Sequence, residues 1–415
     1  MTAPQLAHPP ARLFQGVRPF HLFAFLACWL GGVFDGLDST VMAMAMPQAL
    51  GELLGGAGPA VVGLVGGWIS SAFLLGWMLG GLGFGYLGDR IGRVKAMVIS
   101  VGLYSVFTGL AGFSPNWQVL LVCRFLTGIG VGGELVAITT YLSEVWPERS
   151  RAIAVGALIT SYSTGVFLAG ALHYRIHDWR LLFMVGALPA LLAVLLRWGL
   201  REPERWQAQR GAPGRLLKHL LAPEHRKGLL VGAVAYTSLL VGYWGTLAWV
   251  PTWAQALPGS PAEVRSLVTL WNGVGSIVGC LLAGVLAQAL GRRKGLMLGF
   301  AGAFGAAFWL FAGHGAFSPR VYAATAMLGL CLGLTQAGLS VYLPELFPTA
   351  IRGSAAGFCL NVGRLVTAIA VLGVGPLVAL FGGFGPMALV FAGIFWVGLV
   401  AAWLGTETKG EALPA

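Results

Sequence analysis

Tyr141-Leu142-Ser143-Glu144-Val145-Trp146-Pro147, followed by Arg151, returns as Tyr342-Leu343-Pro344-Glu345-Leu346-Phe347-Pro348, followed by Arg352. The offset is 201 throughout. A second set, Gly85, Leu87, Gly92, Arg93 and Lys95, returns as Gly284, Leu286, Gly291, Arg292 and Lys294 at an offset of 199. Two matches at nearly one offset mean that the second half of the chain repeats the first.

What is repeated is apolar. Of 415 residues 57% are apolar and only 10% charged, against about 25% charged in a soluble domain. Such a chain cannot cover a water-facing surface, so its solvent is mostly lipid. A helix needs roughly 20 apolar residues to cross the hydrocarbon core. Stretches of that kind fall at 20–46, 61–84, 95–113, 117–140, 152–173, 180–200, 228–250, 265–287, 295–314, 319–341, 354–379 and 384–405. The long polar stretch 201–227 divides them six and six. The sequence therefore predicts an all-α membrane protein of twelve transmembrane helices in two pseudo-symmetric six-helix bundles, 1–200 and 228–415, joined by a cytoplasmic linker. Transporters built from repeats bind substrate near mid-membrane at the interface of the repeats and rock one against the other.

Charge sets the orientation. Cytoplasmic loops carry an excess of Lys and Arg. With both termini inside, nineteen of these residues lie on the cytoplasmic side and four on the other. The net charge of +11 is thus topology, and nucleic-acid binding is not indicated. The 63 glycines let helix backbones approach closely in a bilayer. Five cysteines scattered through apolar segments suggest neither a disulfide framework nor a metal site, and no cofactor is expected. The first apolar run is long and lacks a small-residue cleavage site, so it reads as a retained helix rather than a signal peptide.

Gly85-Tyr86-Leu87-Gly88-Asp89-Arg90-Ile91-Gly92-Arg93, with Lys95, resembles the signature loop between helices 2 and 3 of the major facilitator superfamily. Arg124-Phe125-Leu126-Thr127-Gly128-Ile129-Gly130 is similar to its helix 4 motif. Asp35-Gly36-Leu37-Asp38 resembles the helix 1 signature of proton-coupled organic-acid symporters, the aromatic-acid and sialic-acid branch, and Asn361-Val362-Gly363-Arg364 looks like their helix 11 arginine. Arg201-Glu202-Pro203-Glu204-Arg205-Trp206 resembles the end of helix 6 in sugar porters. Helix 5 lacks the proline of drug antiporters, and Gln288 stands where an aspartate often repeats in the second signature loop. The resemblance implies the major facilitator fold in the inner membrane, a small-molecule substrate, protons as the coupling ion and a monomer.

Five charges sit deep: Asp35, Asp38, Glu134, Arg124 and Arg364. At mid-bilayer each costs about 2.5–3.5 kcal/mol even on the lenient insertion scale, so each is a functional candidate. Asp35 and Asp38 are three apart on one helix face. Two close carboxylates in low dielectric cannot both ionise cheaply, which suits one of them to carry a proton; the alternative is that one merely pairs with a structural arginine. Arg124 is their simplest counter-charge. Glu134 is a second proton site or a helix-packing acid. Arg364, with Asn361 one turn earlier, is a carboxylate anchor, because a guanidinium grips a carboxylate with two hydrogen bonds; otherwise it snorkels to the cytoplasmic surface. Tyr243 and Trp244 are expected to stack on substrate, with Asn272 and Tyr162 as polar candidates. The resemblance places all of these on cavity-lining helices. Trp249 and Trp253 read as interfacial anchors.

At the cytoplasmic ends, Gly88 and Gly92 permit a tight turn beside Gly85, and Asp89 caps a helix or pairs with an arginine. Arg90, Arg93 and Lys95 face an anionic leaflet. Glu144 with Arg151, and Glu345 with Arg352, read as gating pairs. No Gly-x4-Gly-Lys-Ser/Thr loop supports ATP-driven pumping. The string Gly128-Ile129-Gly130-Val131-Gly132-Gly133 lies within a membrane helix and follows no strand, so it is no nucleotide loop. No nucleophile–base constellation points to an enzyme. Proton-coupled uptake of an organic anion leads; a carrier of neutral sugar-like solutes and a transport-dead receptor are the rivals.

Overall fold

A computed structural model describes residues 16–147, 150–188, 199–203, 222–348 and 351–409, with the side chains of residues 89 and 151–153 outside that description. Within it the chain is helical, and eleven helices are long and apolar enough to cross a membrane. They are α1 (Pro19–Leu53), α2 (Pro59–Ile91), α3 (Arg93–Ala111) and α4 (Trp117–Val145), then α5, a turn at Arg151–Leu158 continued by Thr160–Arg175. After α6 come α7 (Pro223–Gln255), α8 (Val264–Leu290), α9 (Arg292–Ala312), α10 (Arg320–Glu345), α11 (Arg352–Phe381) and α12 (Phe384–Leu404). Helix α6 is described at Trp179–Val185; residues 189–198 of the expected sixth span lie outside the described residues, as does 204–221 of the linker. The start of α1 and the end of α12 lie at one end of the bundle, here the near end, where Gly16 packs on Pro147 and Gly405 on Tyr342.

Glycine sets how closely these helices pack. A Cβ on Gly76 would meet the Phe125 carbonyl oxygen at 2.1 Å, and one on Gly80 would meet that of Ile129 at 1.9 Å. From the other side, Gly128 and Gly132 press on the backbone of Phe73 and Trp77. So α2 and α4 touch backbone to backbone. Gly275 and Gly279 of α8 do the same against Ala326 and Leu330 of α10. This is the small-residue packing expected where lipid gives no hydrophobic incentive for helices to associate.

Two seams join the halves. At the far end Gly375 of α11 packs on Leu64 and Gly63 of α2, and Gly67 on the Val371 carbonyl. Opposite them, Gly170 of α5 packs on Ser266 and Leu270 of α8, and Gly273 on Phe167. Both seams close the far end, and the second runs on toward the near end, where Ser163 meets Cys280 at 3.8 Å and Ile159 and Leu286 pack on one cluster. Helices α7 and α11 are interrupted at the far end by 3₁₀ turns at Leu247–Trp249 and Val371–Gly373. The cause is in the sequence: Pro251 and Pro376 each lack an N–H and crowd the carbonyl four residues earlier, which falls in the turn.

These contacts yield a paired prediction. Gly80→Leu should lower the thermal midpoint in detergent by an amount corresponding to about 1–3 kcal/mol or more of overpacking. Gly83→Leu, with nothing within 4 Å of its added Cβ, should leave the midpoint where it is. Equal midpoints for the two variants would contradict the backbone contact.

Candidate functional site

The deep charges separate into three groups. Arg124 of α4 turns onto Asp38 of α1, with Nη1 donating to both carboxylate oxygens at 3.1 and 3.0 Å and Nη2 to the Asp38 carbonyl at 3.3 Å. Thr108 of α3 donates to the same carboxylate at 2.5 Å. Both side chains of the pair are 1% exposed. The guanidinium also lies 4.5 Å over Phe73. Such a pair compensates its own charge, and removing either member would strand the other.

Asp35 and Glu134 form the second group. Neither is more than 1% exposed. Glu134 reaches α1 at Gly31, whose missing Cβ makes room for it, and there faces Asp35 and the Tyr104 hydroxyl. Yet neither carboxyl group has a donor with hydrogen-bond geometry among the described residues. Two ionised carboxylates can only accept, so each stays unsatisfied until a proton lies between them. Between Asp35 and Asp38, Gly36 allows α5 to approach so closely that a Cβ would meet the Tyr162 carbonyl oxygen at 2.1 Å.

Arg364 is alone. It sits twelve residues into α11, about 18 Å along the axis, and is 3% exposed. It does not snorkel: its guanidinium lies 4.7 Å over the Trp77 ring of α2, in the other half. Its Nη1 donates to Asn361 Oδ1 at 3.3 Å, within its own helix. No carboxylate among the described residues pairs with it, and Asp35 is the acid whose charge reaches it.

Around these charges runs a closed circuit of rings. Phe73–Trp77, Trp77–Tyr162, Tyr162–Tyr243, Tyr243–Trp244 and Trp244–Phe73 have centroids 5.4, 6.4, 6.5, 5.9 and 5.9 Å apart. Tyr162–Tyr243 and Phe73–Trp244 cross between the halves. Beside them is a cavity of about 10 Å³ lined by Ser39, Met42, Phe73, Arg124, Trp244 and Trp249, room for about one water. Of the expected binding residues the structure brings together Arg364, Asn361, Tyr162, Tyr243 and Trp244. Asn272 is different: its Oδ1 accepts from Ser276 at 3.1 Å and is directed at Gly329 of α10, so it packs two helices of one half. Trp249 and Trp253 are not interfacial anchors either. They are buried, stacked on Phe384 and edge-on to Phe311. Trp77 and Phe73 were missed, since aromatic residues in an apolar helix read as ordinary core.

The near end repeats itself closely. Arg93 at the start of α3 bridges to Glu144 at the end of α4 at 3.1 Å, and Arg292 at the start of α9 bridges to Glu345 at the end of α10 at 2.8 Å. The expected pairings of Glu144 with Arg151 and of Glu345 with Arg352 are not decided by these bridges: Arg352 donates to the Phe347 carbonyl, and the side chains of Arg151 and Asp89 lie outside the described residues. Glu202 accepts from the backbone N–H groups of Val94 and Lys95, as Glu407 does from Arg292 and Arg293. Each carboxylate thereby covers a helix N-terminus. Burial works against ionisation of Glu407, but these N–H donors outweigh it and hold its carboxyl below the usual glutamate range. Gly92 and Gly291, at φ of 116° and 95°, make the turns. Gly88 instead lies inside α2, where it leaves space for Arg93, near Gly85; Arg90 stacks on Tyr86.

Comparison with known proteins comes to the same architecture. The profile of the Major Facilitator Superfamily matches residues 28–261, and that of the "Sugar (and other) transporter" family matches 232–411. The cis,cis-muconate transport protein of Acinetobacter baylyi is 29% identical, over 85% of this chain and 87% of its own. The inner membrane metabolite transport protein YgcS of Escherichia coli is 31% identical, over 86% and 85%. A crystal structure of a D-xylose-proton symporter superposes with a TM-score of 0.74 at 22% identity, covering 95% of this chain and all of that one. With helices that span a membrane and a family profile over more than half its length, the chain belongs to the Major Facilitator Superfamily of integral membrane transporters.

Proposed function

We propose that this transporter is a proton-coupled symporter of a small organic anion, an aromatic or sugar acid, working by rocker-switch alternating access between the bundles 1–200 and 228–415. The observation that carries this reading is the division of buried charge. Arg364 offers a buried guanidinium with no acid paired to it among the described residues, and Asp35 with Glu134 offers two buried carboxyls with no donor. A substrate carboxylate answers the first and a transported proton the second. The likeness to a muconate transport protein supports the anion, and that to a proton symporter is compatible with the coupling ion.

Within this scheme Asp38 and Arg124 form the fixed pair beside which the proton is handled, and the ring circuit is the wall against which the substrate packs. The Lys/Arg asymmetry puts both termini in the cytoplasm of an inner membrane, so the closed far end faces outside. The protein works as a monomer. A second reading, carriage of a neutral sugar-like solute, draws on the sugar-transporter profile over the C-terminal half.

Uptake into proteoliposomes under an imposed pH gradient, with aromatic acids, sugar acids and neutral sugars, separates the two. Only acids should accumulate; accumulation of the sugars alone would overturn the anion reading. Asp35→Asn should lose gradient-driven accumulation but keep counterflow exchange, and normal accumulation by that variant would end the proton assignment. Asp38→Asn should lose it too, and should also destabilise the protein, because stranding the buried Arg124 costs about 3–5 kcal/mol. Arg364→Lys should raise KM for the transported acid about tenfold by replacing a two-pronged donor with a point charge; an unchanged KM would remove Arg364 from the site.

A further inference from the structure

Helix α2 carries none of the residues that the resemblance places on cavity-lining helices, yet it places Trp77 between the halves, under Arg364 and beside Tyr162. The position is fixed by α4. A Cβ on Gly128 would meet the Trp77 nitrogen at 3.0 Å, and one on Gly132 would meet its carbonyl oxygen at 2.0 Å. Two glycines one turn apart therefore clamp the Trp77 backbone. Its ring is wedged between Phe73 at 5.4 Å and Tyr162 at 6.4 Å. The side chain is 6% exposed. Two of its features have no use within the protein as it stands. Its face carries the guanidinium of Arg364, 4.7 Å from the ring centroid and from the opposite half. Its indole N–H is buried with no acceptor among the described residues, and a buried indole N–H ordinarily has one.

We propose that Trp77 is a substrate-selecting residue, which orients the Arg364 guanidinium for an incoming carboxylate and gives its own N–H to an oxygen of the substrate. The inference rests on the anion-symport reading and adds to it a residue outside the expected set, which positions the anchor. A guanidinium on an aromatic face is attracted to the ring quadrupole. It is thereby held in a fixed direction before the substrate arrives, so less orientational freedom is lost on binding. When the halves part, the face and the N–H become available together.

The test uses the full-length protein and radiolabelled benzoate, the simplest planar carboxylate, with exchange measured in proteoliposomes without a pH gradient. Trp77→Leu removes face and N–H and should raise KM about tenfold with little change in kcat. Trp77→Phe keeps a face and should recover part of that loss. In an Arg364→Lys background, Trp77→Leu should cost clearly less than in the wild type, because only the loss of the N–H contact remains once the oriented guanidinium is gone. A wild-type KM in Trp77→Leu overturns the proposal, as does a full tenfold effect in the Arg364→Lys background or a fall in kcat alone, which marks a packing role. If the wild type does not exchange benzoate, the same comparison is made with the acid it takes from the uptake panel; wild-type protein that exchanges none of those acids would overturn the symport reading and this inference with it, and the wild-type control shows which has failed.

Discussion

The ion pair between Arg124 and Asp38 decides what every other deep charge must do. Burying a lone charge is so costly that the protein pairs what it can, and this pair, reinforced by Thr108 and Phe73, is closed to further business. Three acids and two bases lie deep in the bundle. Once one of each is withdrawn, two acids remain against α1 and α4 and one base on α11. No internal rearrangement neutralises that remainder well, since the surplus acids lie in one half and the surplus base in the other. One proton on the acids and one anion on the base do. In the proposed symport, coupling of proton and anion would then be a consequence of desolvation rather than of a dedicated relay.

The repeat makes the same point from the other side. Where the halves agree, they agree in detail: Arg93–Glu144 with Arg292–Glu345, Glu202 with Glu407 across a helix N-terminus, Tyr141 donating to the Arg201 carbonyl and Tyr342 to that of Thr406. All of these lie at the near end and each stays within its own half. They lock helices 3, 4 and 6, or 9, 10 and 12, into bodies that can move as units. At mid-membrane the likeness ends: Arg124 answers to Thr325 and Glu134 to Thr335 at the same offset. Thr325 and Thr335 are buried and bond back to carbonyls of their own helix, so the C-terminal half fills with self-satisfied hydroxyls what the N-terminal half fills with charge.

The fold was legible because lipid leaves so few choices. Backbone groups must be satisfied within helices, and twenty apolar residues between charged turns can do little else. Charge was legible for the same reason: a carboxylate among leucines announces itself. Pairing was not. The bridge from Arg93 to Glu144 spans 51 residues and forms because Gly92 turns α3 back onto the end of α4, a contact made through space. The aromatic residues show the limit most clearly. In an apolar helix Trp77, Trp249 and Trp253 look alike, and only tertiary packing tells the one carrying a guanidinium from the two buried against Phe384 and Phe311. Hydropathy scores a residue's preference for lipid over water; it says nothing about which neighbours share the lipid-free interior.

Glycine supplies the remaining constraint, and it explains how a site so tightly closed can open. The contacts that clamp α2 to α4 and α8 to α10 are backbone to backbone, within one half, and leave no slack. Those across the seams also use glycine, at Gly63, Gly67, Gly170, Gly273 and Gly375, but they lie at the far end and bury no charge pair. Parting them strands no charge, whereas parting α2 from α4 would disturb the helix face against which Arg124 and Asp38 are packed. The breaks in α7 and α11 beside Pro251 and Pro376 fall at the far end, next to these seams. Motion is thereby directed to the interface between the halves. There the three contacts that cross the site, Arg364 on Trp77, Tyr162 by Tyr243 and Phe73 by Trp244, must separate together, so whatever binds between them is released to one side of the membrane or the other as a unit.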